Sequence, residues 1–306
     1  LAIEPKRHGD EQRMWEIVTK LVDEDCCLRV EHVASTNETI LYGLGELHLR
    51  VLLERMKETY KFEVSTRPPR IAYRETITGK AEGHHRHKKQ TGGAGQFGEV
   101  FLRIEPLPRG GGFEFLDQVK GGTIPGQFMP SVEKGVREVL THGAVAGYPV
   151  VDIRVTLVDG KAHSVDSSDM AFQVAGGLAL REAAAATRIN LLEPVDLVTV
   201  RVPDEFVGAV LGDLSARRGH VLGTEQADES HTVINAEVPQ VALTRYAIDL
   251  RSLTHGAATF TRMFARYEPM PESAAAKRPS QVAWSPSGET VWTRNLSAWK
   301  SASFTP

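Results

Sequence analysis

Apolar residues recur along this chain in two different periods, and the switches between them mark its elements. Leu1 to Lys6 reads as extended, and from Asp10 to Leu21 the apolar Met14, Ile17, Val18 and Leu21 return at helical spacing. Leu28 to Val33 and Thr39 to Tyr42 are short β-rich runs around the turn residues Ser35, Thr36 and Asn37. Leu47, Val51, Leu52 and Met56 predict a second helix, and Tyr60 to Val64 a closing strand. Over residues 1–66 this is strand, helix, strand, strand, helix, strand, the split βαβ or ferredoxin-like order. Arg67-Pro68-Pro69-Arg70 then predicts a stiff linker that cannot continue a sheet.

Residues 192–268 repeat the pattern. Val195 to Val202 predicts a strand, and Pro203-Asp204-Glu205 puts acids at a helix start. Arg217-Arg218-Gly219 puts cations and a glycine at its end. His231 to Val238 is a strand, Pro239 opens a helix that His255-Gly256 closes, and Ala258 to Phe264 is the last strand. Between the two units lies a middle region of about 120 residues, domain-sized by itself. Its predicted elements are strands at Val100 to Glu105, Phe113 to Val119 and Val150 to Leu157, and helices at Ser131 to Leu140 and Asp169 to Ala186. The fold class is therefore α+β, divided into 1–67, 68–191 and 192–268. After these comes a tail, 269–306, rich in Ser, Ala and Pro, which reads as irregular or disordered. Three of the four tryptophans (Trp284, Trp292, Trp299) lie in that tail, which argues that part of it packs on something.

The net charge of −3 over 306 residues argues against a general nucleic-acid binder. Lys plus Arg against Asp plus Glu runs 10 to 13 over residues 1–68, 15 to 13 over 69–191, 7 to 11 over 192–268 and 4 to 2 in the tail. Contact with RNA is expected to concentrate in the middle domain, the one folded region that leans basic. No apolar run is long enough to span a membrane. The start, Leu1-Ala2-Ile3, resembles neither a signal peptide nor an initiator and reads as a strand cut from a longer protein. Cys26 and Cys27 are adjacent, offer no disulfide framework, and are expected as two small buried hydrophobes in a reducing cytoplasm rather than a vicinal redox pair.

The densest chemical signal runs from His84 to Gly98. Three histidines (His84, His85, His87), Arg86, Lys88 and Lys89 precede Gly92, Gly93, Ala94, Gly95, Gln96, Phe97 and Gly98. Glycines allow close backbone approach, an exposed ring can stack on a base, and an amide can hydrogen-bond to one. Taken alone, the run fits a solvated hairpin tip better than a binding loop. The histidines lack a Cys or carboxylate partner other than Glu82 and stand among cations, so no metal is expected there. A second loop holds His163, Asp166, Ser167 and Ser168; a serine there is a natural helix cap and Asp169 suits the first turn. A hydrolase triad is rejected, since the groups crowd one loop and no G-x-S-x-G elbow exists. No catalytic residue is expected.

KKQTGGAGQFG, GGTIPGQFMPSVEKG, AGYPVVD, HSVDSSDMAF and LSARRG occur in one order after GLGELHL. Together they resemble the C-terminal half of elongation factor G, the ribosomal translocase, over about residues 1 to 268. The resemblance implies two ferredoxin-like βαββαβ domains flanking a ribosomal-protein-like α/β domain with a left-handed βαβ crossover. It implies a cytoplasmic, monomeric, ribosome-binding arm that meets rRNA and ribosomal proteins, with tRNA and mRNA at the decoding site. Contacting residues would be Lys88, Lys89, Gly92, Gly93, Ala94, Gln96, Phe97, His163, Asp166, Ser167, Ser168, Arg217 and Arg218.

No G-x-x-x-x-G-K-[ST] loop is present, so this chain alone is not expected to hydrolyse GTP; GTP and Mg would belong to domains upstream of Leu1. The common bacterial translocase carries an arginine where this chain has Ala94, which shifts the expectation toward a second-copy, elongation-factor-G-like paralogue. The alternatives are a factor of the same architecture that splits, recycles or protects ribosomes, and a plain RNA-binding module. A small-molecule kinase is disfavoured because Gly92 to Gly98 leads into a strand rather than a helix.

Overall fold

The computed structural model describes residues 1–34, 36–89 and 95–275, with the backbone of two short paired strands at 283–284 and 290–291. The described residues divide into two compact units: Leu1–Ala72 with Glu193–Tyr267, and Tyr73–Leu192 with the described residues from Glu268 onward.

The first unit opens with β1 (Ala2–Pro5), α1 (Glu11–Glu24), β2 (Arg29–Val33), β3 (Glu38–Tyr42), α2 (Glu46–Tyr60) and β4 (Val64–Arg67). Their sheet runs β2-β3-β1-β4 with every pair antiparallel. Met14, Ile17, Val18 and Leu21 form the buried stripe of α1 as expected, packed with Ile3, Leu41 and Met56. Helix α2 exists, but its buried face is Leu49, Leu52 and Met56; Leu47 is 71% and Val51 54% exposed. The closing strand also starts later than Tyr60. Tyr60 ends α2, Lys61 adopts left-handed backbone, and the Phe62 N–H caps the Met56 carbonyl at 3.2 Å. Cys26 and Cys27 are exposed in the turn between α1 and β2, against the expectation of burial. The Pro-Pro linker is fastened by Glu38, a buried carboxylate that takes the Arg67 guanidinium and, at 2.9 Å, the Arg70 N–H.

The second unit contains β5 (Arg74–Ile77), β6 (Ala81–Lys89), β7 (Gln96–Pro106), β8 (Phe113–Asp117), α3 (Met129–His142), β9 (Ile153–Lys161) and α4 (Asp169–Ala185). The sheet order is β6-β7-β9-β8; β8 and β9 are parallel and joined through α3, and the other pairs are antiparallel. Strands β5 and β6 went unpredicted. Facing residues of β6 are Ala81, Gly83, His85 and His87, small or polar because α4 lies almost against the strand. A Cβ on Gly83 would sit 2.1 Å from the Ala179 carbonyl oxygen and 2.7 Å from the Ala183 nitrogen. The core gathers Val100, Leu102, Ile104, Val155 and Leu157 beneath Val132, Val136, Phe172 and Leu180.

The chain continues through β10 (Ile189–Pro203), α5 (Val207–Ala216), β11 (His220–Asp228), β12 (His231–Pro239), α6 (Tyr246–Leu253) and β13 (Thr259–Pro269). Residues Ile189–Leu192 of β10 pair with β5, and Val195–Pro203 pair with β12. The order β11-β12-β10-β13 reproduces that of the first sheet, the ferredoxin-like arrangement twice in one chain. Strand β11 went unread because it is a polar edge strand, exposed at every position but Val221. Past β13, the Met270 side chain is buried and its N–H reaches the Leu191 carbonyl at 2.8 Å, so the chain stays folded beyond residue 268. The side chains of Trp284, Trp292 and Trp299 fall outside the described residues.

Candidate nucleic-acid interface

Strands β6 and β7 form a hairpin whose register sets Lys88 opposite Phe97 and Lys89 opposite Gln96. Its turn, including Gly92, Gly93 and Ala94, lies outside the described residues. From β9 the chain enters Ala162–Ser168 and then α4, whose cap is Ser168; the Ser168 Oγ accepts the Ala171 N–H at 3.3 Å. The serine cap expected from sequence is therefore Ser168, which leaves Ser167 available for a second task.

These two segments are sewn together. The Phe97 N–H donates to the Asp166 carbonyl at 2.8 Å, and Phe97 and Ser167 form a parallel bridge. The Ser167 hydroxyl donates to the Phe97 carbonyl at 3.1 Å while accepting the His163 N–H at 2.8 Å. The Gly95 N–H reaches Asp166 Oδ1 at 3.2 Å. A Cβ at Gly95 would lie 2.8 Å from the Asp166 carboxyl carbon, so a larger residue here would have to displace the Asp166 side chain that the Gly95 N–H holds. The His163 ring is exposed and stands 6.1 Å from the Phe97 ring. Its Nδ1 accepts the Asp166 N–H at 3.2 Å and also lies 3.3 Å from Asp166 Oδ2. One nitrogen cannot do both at once, since a nitrogen that accepts the backbone N–H has no proton to give the carboxylate.

Phe97 is half-buried, neither a free stacking ring nor the first core residue of β7, a place taken by Val100. The Arg86 guanidinium covers its ring at 5.9 Å. The basic run divides along the length of β6. Arg86 holds Glu99 Oε2 through Nε at 3.0 Å and Nη2 at 2.9 Å, and His84 holds Oε1 at 2.8 Å. His87 Nε2 meets Gln96 Oε1 at 3.1 Å. Lys88 and Lys89 are exposed and form no ion pair with a described residue, so they carry the outward charge. Val165, 79% exposed, and Met170 add apolar surface beside His163 that no sequence pattern had singled out.

Arg217 and Arg218 belong to the other unit. Arg217 bonds Asp213 at 2.8 Å, Asp249 at 2.7 Å and the Ala242 carbonyl at 2.8 Å, with the Tyr246 ring 5.1 Å away. Its guanidinium is engaged in packing α5 against α6. Arg218 ends α5 in left-handed backbone and pairs with the buried Glu193.

Three family models tile the chain: "Elongation Factor G, domain III" over residues 1–68, "Elongation factor G, domain IV" over 69–188 and "Elongation factor G C-terminus" over 190–278. The chain belongs to the elongation factor G family. An elongation factor G-like protein of Mycobacterium tuberculosis is 61% identical over 277 residues, covering 90% of this chain and 39% of that protein. Elongation factor G of Aquifex pyrophilus is 47% identical over 278 residues, covering 90% of this chain and 40% of that protein. A crystal structure from Thermus thermophilus superposes with a TM-score of 0.78 at 42% identity, covering 90% of this chain and 41% of the other. The chain therefore spans about two fifths of the length of its elongation factor G relatives. The domain IV match holds both loops of the sewn pole, and the domain III and C-terminal matches hold the two ferredoxin-like sheets. Among the described residues, no helix is long and apolar enough to cross a membrane.

Proposed function

We propose that this chain is the ribosome-binding arm of a translation elongation factor of this family, promoting tRNA and mRNA movement. Family membership supports the reading, and one observation carries it. Lys88 and Lys89, without an ion pair to any described residue, stand beside a pole where Gly95, Phe97, His163 and Ser167 are tied together. A pole whose two loops are tied together, with outward cations beside it, suits RNA at the decoding site, because the cations meet phosphates and the tied backbone reduces the ordering that binding costs. On this reading the chain works by occupying space and by charge, and GTP with Mg is bound elsewhere in the factor. A second reading is a paralogue of the same architecture that recycles or protects ribosomes. The higher identity to an elongation factor G-like protein (61%) than to an elongation factor G (47%) supports the paralogue, and the activity is left to the test.

Binding to ribosomes carrying tRNA, titrated from about 50 to 200 mM salt, tests the arm. Affinity should fall by orders of magnitude, and each of Lys88→Ala and Lys89→Ala should flatten the logarithmic slope by about one unit. A slope unchanged in the double variant removes these lysines from the interface. Normal binding with no effect on tRNA movement in the complete factor would favour the second reading.

A further inference from the structure

The turn Asp25-Cys26-Cys27 lies outside the candidate interface described above. It lies between α1 and β2, with both thiols exposed and unlinked. The ligand atoms of Asp25, Cys26 and Cys27 all lie within 4.8 Å of one another. The carboxylate is held in place from both sides. Asp25 Oδ1 accepts the Cys27 N–H at 2.9 Å, and Asp25 Oδ2 lies 2.8 Å from His48 Nε2. His48 Nδ1 accepts the Leu44 N–H at 3.2 Å, so the ring proton sits on Nε2 and donates to Asp25. A histidine with its tautomer fixed, orienting a carboxylate beside two thiols, is the outer support that metal sites use.

We propose that Cys26, Cys27 and Asp25 chelate one thiophilic divalent cation, with His48 as the positioning residue. Zinc–sulfur bonds of about 2.3 Å set two tetrahedral thiolates about 3.7 Å apart, and side-chain rotation from a separation within 4.8 Å reaches this. Two S–H bonds break and two S–metal bonds form. Both protons pass to solvent, no electron moves, and water completes the coordination. Oxidation to a disulfide fits the same pair poorly. Consecutive α-carbons are about 3.8 Å apart across a trans peptide, below the roughly 4.4 Å or more that disulfides span.

The test uses the full chain, reduced and stripped of metal, titrated with zinc by calorimetry and with cadmium by thiolate charge-transfer absorption. One ion per chain and release of about two protons are expected. Cys26→Ser with Cys27→Ser should abolish binding while leaving the metal-free melting curve unchanged, since both thiols are exposed. His48→Gln should weaken binding about 10- to 100-fold without changing the stoichiometry. Undiminished binding in the double serine variant, one ion per two chains, or no zinc uptake by the parent overturns the proposal.

Discussion

The hydroxyl of Ser167 donates to the carbonyl of Phe97 at 3.1 Å, joining two segments 70 residues apart in sequence. The same oxygen accepts the His163 N–H, so one small side chain fixes both loops of the candidate interface. Ser167→Ala removes both bonds and leaves the His163 N–H without its partner. The expected cost is about 1–2 kcal/mol of stability, concentrated locally. Amide exchange at Phe97 and Asp166 should speed up while the α3 and α4 amides keep their protection. Unchanged exchange at Phe97 would show that the strand pairing alone holds the pole.

Phe97→Ala separates packing from contact. A half-buried ring outside the core cluster should cost about 1–2 kcal/mol of stability, less than the roughly 3–5 kcal/mol of a core phenylalanine. Its ring is half-buried and covered by Arg86, so only a partial stacking contact is open. The affinity of the folded protein for tRNA-filled ribosomes should fall by no more than about 1 kcal/mol, the low end of base–aromatic stacking. A melting curve beside a ribosome titration reads both quantities. Loss of stability with affinity intact would make Phe97 purely a packing residue.

Two glycines should respond in opposite directions. Gly83→Ala drives a methyl into the backbone of α4 and should destabilise by about 1–3 kcal/mol or more. Gly212 lies inside α5, where an added methyl would meet nothing within 4 Å, so Gly212→Ala should stabilise by about 0.5–1 kcal/mol. Denaturant titration of the two variants decides; a tolerated Gly83→Ala would mean that α4 stands further from β6.

Glu99 predicts a pH dependence. Burial pushes its carboxyl up, but the hydrogen bonds from Arg86 and His84 outweigh this and hold it below its ordinary value near 4.5. A depressed folded-state pKa gives a contribution that is full above the unfolded value and lost as pH falls through the folded one. The melting difference between the parent and Glu99→Gln should be largest near neutrality and shrink below about pH 4. A difference that stays constant down to about pH 3 would remove the ionised carboxylate from the explanation.

What the sequence determined by itself was the order of elements and their duplication. The stripe Met14, Ile17, Val18 and Leu21 sits buried on α1, and two βαββαβ patterns became two sheets of identical order. Periodicity carries such information because it records which face of each element leaves water. It failed where burial does not select apolar side chains. Strand β6 turns Gly83 and His85 inward because a helix backbone presses on it, and β11 is an edge with almost no buried face. On α2, only packing against the sheet decided that Leu49 and Leu52 go in while Leu47 and Val51 stay out. The two candidate loops were visible as residue types, but their joining was not. Chain closure alone could bring Ser167 to Phe97, commit Arg86 to Glu99 and Arg217 to Asp213 and Asp249, and leave Lys88 and Lys89 to face outward. Hydrogen-bond partners distant in sequence leave no periodic trace, and which cation is consumed depends on which carboxylate the fold delivers to it.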